Sequence, residues 1–236
     1  MDICRQVVDT DDKELGKLFA CLIALVRLLR SDKGCPWDRK QTVDDVKEFL
    51  LEEVYELISA LSNRDWEETQ EEIGDVLLLA VFLAQIGRED GIFCLRGALE
   101  EVIDKLIRRH PHVFGDLSLS DAEEVVANWT KIKDKEKKKK GKKAGPWESV
   151  PMHAPSMFQY YTYLKELKKR GKQKYVRNEA SVKQELLSIF SKDDLTEEDL
   201  TKGIANLVEV CYLKDKDPEM MFLNWILNMR SQEGGV

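Results

Sequence analysis

The chain has 236 residues, enough for one large domain or two small ones, and its 43% hydrophobic and 34% charged residues describe a globular protein rather than a disordered one. A net charge of −7 argues against a general nucleic-acid binder, which needs an excess of Lys and Arg to neutralise phosphates. No apolar run reaches the ~20 residues that span a bilayer. Five cysteines (Cys4, Cys21, Cys35, Cys94, Cys211) are odd in number and contain no C-x-x-C pair. With the acidic, polar start "MDICRQVVDTDD", they point to a reducing cytoplasm.

Helical periodicity dominates, and no segment alternates as a strand would. A first helix is predicted from Lys13 to Arg30, with Leu15, Leu18, Phe19, Leu22, Val26 and Leu29 facing a core. The loop "SDKGCPWDRKQT" follows, broken by Gly34 and Pro36. Thr42, with Asp45 three residues on, caps a second helix that ends near "SNRD". Asp65, with Glu68, caps a third that runs to about Arg88. A fourth spans Phe93 to Arg109, and a fifth starts after Ser120, capped with Glu123, and carries Trp129. The segment from Lys131 to Lys143 holds nine lysines in thirteen positions and reads as a solvated linker. Beyond it, a second helical segment runs from Pro155 to Arg230. Domain limits are therefore set at 1–136, a Lys-rich linker at 137–150, and a second segment at 151–236.

Charged side chains are seldom placed among core residues unless something neutralises them. Glu53 and Glu56 are three apart, as are Glu72 and Asp75, so each pair shares a helix face. Folding the two helices back about residue 64 sets Glu53 against Asp75 and Glu56 against Glu72, with Glu52 at the edge. Lys47 is the only basic residue between Lys40 and Arg64, so the acids lack partners. Carboxylates crowded this way either take protons or bind cations. Oxygen donors suit hard ions, Mg²⁺ first and Mn²⁺ second. Lys105 and Arg109, with Arg108 beside them, sit one helical turn apart and can grip phosphate oxygens. His110 and His112 flank Pro111 at a helix end, where a structural role is the plainer reading. No G-x-x-x-x-G-K-[ST] loop occurs, which removes a P-loop enzyme.

These residues resemble a family. "GCPWDRKQT" (34–42), "EEVYE" (52–56), "EEIGDVLL" (71–78), "KLIRRHPHVFGD" (105–116) and "WTKIK" (129–133) are similar, in order and spacing, to the MazG nucleoside triphosphate pyrophosphohydrolases of the all-α NTP pyrophosphatase superfamily. The resemblance implies an all-α helical bundle that hydrolyses a nucleoside triphosphate to monophosphate and pyrophosphate with Mg²⁺, as a homodimer, in cleaning the nucleotide pool. Glu53, Glu56, Glu72 and Asp75 would hold metal, and Glu52 would serve as ligand or water-activating base. Lys105 and Arg109 would hold phosphate oxygens, Trp129 and Lys133 would close on the nucleotide, and Trp37 would stack on the base or belong to the core.

The second half resembles a degenerate copy of the first. "VKQELLS" puts Gln184, Glu185 and Ser188 where E-E-x-x-E belongs, and Asp199 and Lys202 fall at E-x-x-D. Asn228 and Gln232 match Lys105 and Arg109. A non-catalytic nucleotide- or alarmone-binding module, or a helical scaffold whose acids only buffer metal, are the alternatives; pyrophosphate release separates them from an enzyme.

Overall fold

The computed structural model describes residues 10–233; Cys4 and the Gln232 side chain lie outside it. Among the described residues there are eleven α-helices, two short 3-10 turns and no strand. The protein is all-α. It forms two compact units divided at Arg108/Arg109, ahead of the lysine-rich segment where composition places the break.

The first unit contains α1 (Thr10–Leu29), α2 (Pro36–Lys40), α3 (Val43–Asn63), α4 (Trp66–Glu89) and most of α5 (Leu95–Arg109). Helix α3 starts on a capping box: Thr42 Oγ1 accepts from the Asp45 N–H, and the Asp45 carboxylate accepts from the Thr42 N–H at 2.7 Å. It ends on Arg64, whose left-handed φ of 57° turns the chain into α4, capped by the Asp65 carboxylate on the Glu68 N–H. The predicted hairpin pivot at residue 64 is where the structure turns. Val26, Val46, Val81, Phe82 and Ile86 form the core where α1, α3 and α4 meet, with Phe19 and Leu22 packed against it.

The α1 stripe is wider than this core can cover. Leu15 and Leu18, assigned to the core from periodicity, are 63% and 69% exposed, and Leu25 and Leu28 are also exposed. A further difference concerns the loop after α1. Helix α2 forms inside the predicted loop because Pro36 is pre-set for a first helical turn. The loop packs tightly: a Cβ on Gly34 would lie 2.2 Å from the Leu28 and Leu29 carbonyl oxygens, so only glycine fits there.

The second unit contains α6 (Pro111–Phe114), α7 (Ala122–Lys139), α8 (Ser156–Lys169), α9 (Glu179–Phe190), α10 (Glu197–Leu213) and α11 (Pro218–Glu233). Asp121 caps α7 through the Glu124 N–H, one residue later than predicted, while the Glu124 carboxylate accepts from Ser120. The lysine run is helical as far as Lys139, since lysine is a good helix former and cations suit a helix C-terminus. Tyr161, Leu164, Leu167, Val208 and Tyr212 make the core between α8 and α10. No described helix is long and apolar enough to cross a membrane.

Candidate functional site

The α3–α4 hairpin brings three of the predicted carboxylates together. Glu53, Glu56 and Glu72 each place an oxygen within 4.8 Å of the others. Asp75, predicted as a fourth member, is half-buried and outside that group, and its charge acts on Glu53. Glu52 is exposed and outside the group. Among the described residues no Lys or Arg pairs with any of these acids.

Burial, then the Glu56 and Glu53 charges, push the Glu72 carboxyl up to about 7, with a hydrogen bond to Glu53 and the Glu68 charge adding to the effect. Glu53 is also raised, first by burial and then by Asp75 and Glu56. Glu72 is only 5% exposed, and its Oε2 is buried with no hydrogen-bond donor. A buried carboxylate oxygen without a donor is costly, and two occupants relieve it: a proton, or a cation. Three converging carboxylates with an unpartnered oxygen fit a hard divalent ion.

A pH dependence follows. Glu72 binds its proton more tightly in the folded than in the unfolded chain, so the folded state holds more protons between pH 4.5 and about 7. The contribution of Glu72 to metal-free stability therefore falls as pH rises through that window. Added Mg²⁺ or Mn²⁺ should raise the melting temperature far more at pH 8 than at pH 5, when melting curves are recorded at both.

A cavity of about 260 Å³ opens beside Glu53, with walls that include Leu29, Trp37, Phe49, Leu78 and Phe82. Trp37 is 59% exposed and its ring lies 5.8 Å from Phe49. It is held there by a residue that periodicity did not single out. The nearly buried Arg30 binds the Glu89 carboxylate at 2.7 Å, donates to the Asp38 and Gln41 carbonyls at 2.6 and 3.1 Å, and lies over Phe82. Arg30 thus ties α2 to α4 and sets the position of Trp37. Its sequence signal is an arginine at a helix end before a glycine-containing loop.

Lys105 and Arg109 lie one turn apart on α5, and Lys105 makes no ion pair among the described residues. Arg108, next to them, is exposed and already engaged by other groups. Within the second unit, Arg109 grips Glu136 at 2.6 Å and lies 5.1 Å over the Trp129 ring, with Lys133 5.2 Å from the same ring. Burial holds Lys133 below the ordinary lysine range, and the Lys137, Lys169 and Arg170 charges add to this against the pull of Glu166. His112 Nδ1 is buried without a partner, and the His110 ring lies 5.6 Å away.

The α9–α10 hairpin of the second unit treats its acids differently. Arg177 donates to Glu209 at 3.0 Å and binds Glu185 and Asn206, while Tyr160 donates to Glu209 at 2.5 Å. Asp199 closes the α10 capping box with Thr196 and pairs with Lys192. Lys202, aligned with the last position of E-x-x-D, is exposed and paired with Glu198 one turn earlier, while the buried face of α10 carries Gly203, Asn206 and Glu209. An arginine neutralises this hairpin from within.

Residues 41–114 match the family model described as the MazG nucleotide pyrophosphohydrolase domain. The chain carries a MazG domain. That match contains Glu52, Glu53, Glu56, Glu72, Asp75, Lys105, Arg108 and Arg109, while Trp37, Trp129 and Lys133 lie outside it. Among curated proteins, the chain is 48% identical over 128 residues to the nucleoside triphosphate pyrophosphohydrolase/pyrophosphatase MazG of Thermotoga maritima, covering 54% of this chain and 49% of that protein. It is 36% identical over 143 residues to the nucleoside triphosphate pyrophosphohydrolase of Escherichia coli K12, covering 61% and 54%. It is 39% identical over 147 residues to the uncharacterized protein YabN of Bacillus subtilis, covering 62% and 30%. The chain thus spans about half the length, or less, of the relatives it matches.

Proposed function

We propose that the MazG domain hydrolyses nucleoside triphosphates between the α- and β-phosphates, releasing nucleoside monophosphate and pyrophosphate in the cytoplasm, as part of nucleotide-pool cleaning. The observation that carries this is the unpartnered, buried Glu72 oxygen among three converging carboxylates, within a family whose named relatives are pyrophosphohydrolases. Glu53, Glu56 and Glu72, with the Asp75 charge acting on Glu53, are the residues that would hold Mg²⁺, or Mn²⁺ in its place. A bound divalent cation would supply neutralisation of phosphate charge and activation of the attacking water.

The chain's own groups do the rest. Glu52, exposed and unpaired among the described residues, is the proposed proton acceptor from water. Lys105 and Arg109 take phosphate oxygens, and Arg108, Trp129 and Lys133 hold the nucleotide. Trp37 and Phe49 offer the apolar cavity to the base. Arg109 exchanges the Glu136 carboxylate for phosphate, which its planar fork grips in two-point fashion. Arg109→Lys keeps the charge and loses the fork, so kcat/KM should fall roughly tenfold to a hundredfold in initial-rate assays. The catalytic domain is placed at 1–136, with 151–236 as its degenerate, non-catalytic partner.

Exposed Leu15, Leu18, Leu25 and Leu28 on α1 support a homodimer, because a row of apolar side chains this large seldom stays in water. Light scattering after gel filtration should give twice the 27.3 kDa chain mass. The activity itself is tested by product analysis on a panel of nucleoside triphosphates with Mg²⁺. Equimolar monophosphate and pyrophosphate support the reading. Nucleoside diphosphate and orthophosphate, or binding without turnover, would overturn it.

A further inference from the structure

A second cavity in the first unit, about 520 Å³, has no part in the chemistry above. Arg27 of α1, Arg88 of α4 and Arg96 of α5 line it, and no Asp or Glu does. None of the three guanidinium groups makes an ion pair or hydrogen bond among the described residues. Glu89, whose partner Gln85 also lines the cavity, is neutralised by Arg30 at 2.7 Å. Ile23, Val81 and Leu99, one or two turns from the arginines on the same three helices, also line it. Three guanidinium groups around one opening repel one another, and an anion with several oxygens resolves that repulsion. A volume in this range suits a small ligand, and apolar side chains lining the same cavity as three guanidinium groups suit a ring that carries phosphate.

We propose that this cavity is a second, metal-independent nucleotide site, with the ring on Ile23, Val81 and Leu99 and the phosphate on Arg27, Arg88 and Arg96. It is separate from the acidic cluster. Arg88 lies sixteen residues after Glu72 on α4, about 24 Å at 1.5 Å per residue. Without carboxylates it has no use for a divalent ion, so it binds nucleotide in the presence of chelator.

Calorimetric titration of the full chain with AMP in EDTA tests this. One AMP per chain should bind, more weakly as salt rises, and Glu72→Gln should leave that binding unchanged. The double substitution Arg88→Gln/Arg96→Gln should weaken it at least about tenfold without altering the far-ultraviolet circular dichroism, since both side chains are exposed. Arg27→Gln provides an independent variant with the same expected direction. Inorganic pyrophosphate should compete with AMP but bind less tightly, because it lacks the ring. No AMP binding in EDTA, binding abolished by Glu72→Gln, or binding indifferent to all three arginines would overturn the proposal. The reading of the acidic cluster does not depend on the outcome, because its own test requires metal.

Discussion

Glu72→Gln should lower pyrophosphate release at least about a hundredfold, the scale on which loss of one electrostatic group at a reacting centre is felt, while making the metal-free protein more stable at pH 8. Both effects come from the same carboxylate. Glu72 is buried, lacks a donor for Oε2, and sits against Glu53 and Glu56. In the absence of metal its charge is a burden, and the isosteric amide removes it while gaining donors toward its neighbours. In the proposed site that same charge would hold the metal. Initial rates with Mg²⁺ and melting curves in EDTA read the two effects separately. Asp75→Asn should also abolish turnover with folding intact, because it removes, at constant size, a charge that acts on Glu53. Normal turnover in both variants would place the chemistry elsewhere.

Arg177→Met should show the opposite pattern, destabilising the second unit with no change in metal response. Glu209 is 5% exposed and depends on Arg177 and Tyr160 for its partners. Removing one partner of a buried pair costs about 3–5 kcal/mol. Arg177 itself is 38% exposed, which brings the expectation to roughly 2–3 kcal/mol once solvent screening is counted. Chemical denaturation measures the loss, and Glu209→Leu in the same chain should recover part of it by removing the stranded charge.

The contrast between the two hairpins explains what could be read from residues alone. The first was legible because its signals are local: Thr42 with Asp45, and Asp65 with Glu68, fix both helix starts, and three-residue spacing fixes the face of each acid. Reflection about the turn then predicts which acids meet. The second hairpin was not legible in this way, because its neutralising cation, Arg177, precedes Asn206 and Glu209 by 29 and 32 residues and carries no local mark. Aligning Lys202 with a ligand position followed spacing where the buried face of α10 is set by Gly203, Asn206 and Glu209. Arg30 escaped notice for the same reason, its partner Glu89 being 59 residues away. The exposed α1 leucines illustrate a different failure: periodicity finds an apolar stripe but does not count how much of it one chain can cover.

The central claim is that the first hairpin binds a divalent cation through Glu53, Glu56 and Glu72. Titration of Mn²⁺ followed by electron paramagnetic resonance tests it most directly, on the wild-type chain, Glu72→Gln and Arg177→Met. The account predicts Mn²⁺ uptake by the wild type and by Arg177→Met, and its loss in Glu72→Gln. Undiminished uptake in Glu72→Gln would contradict it.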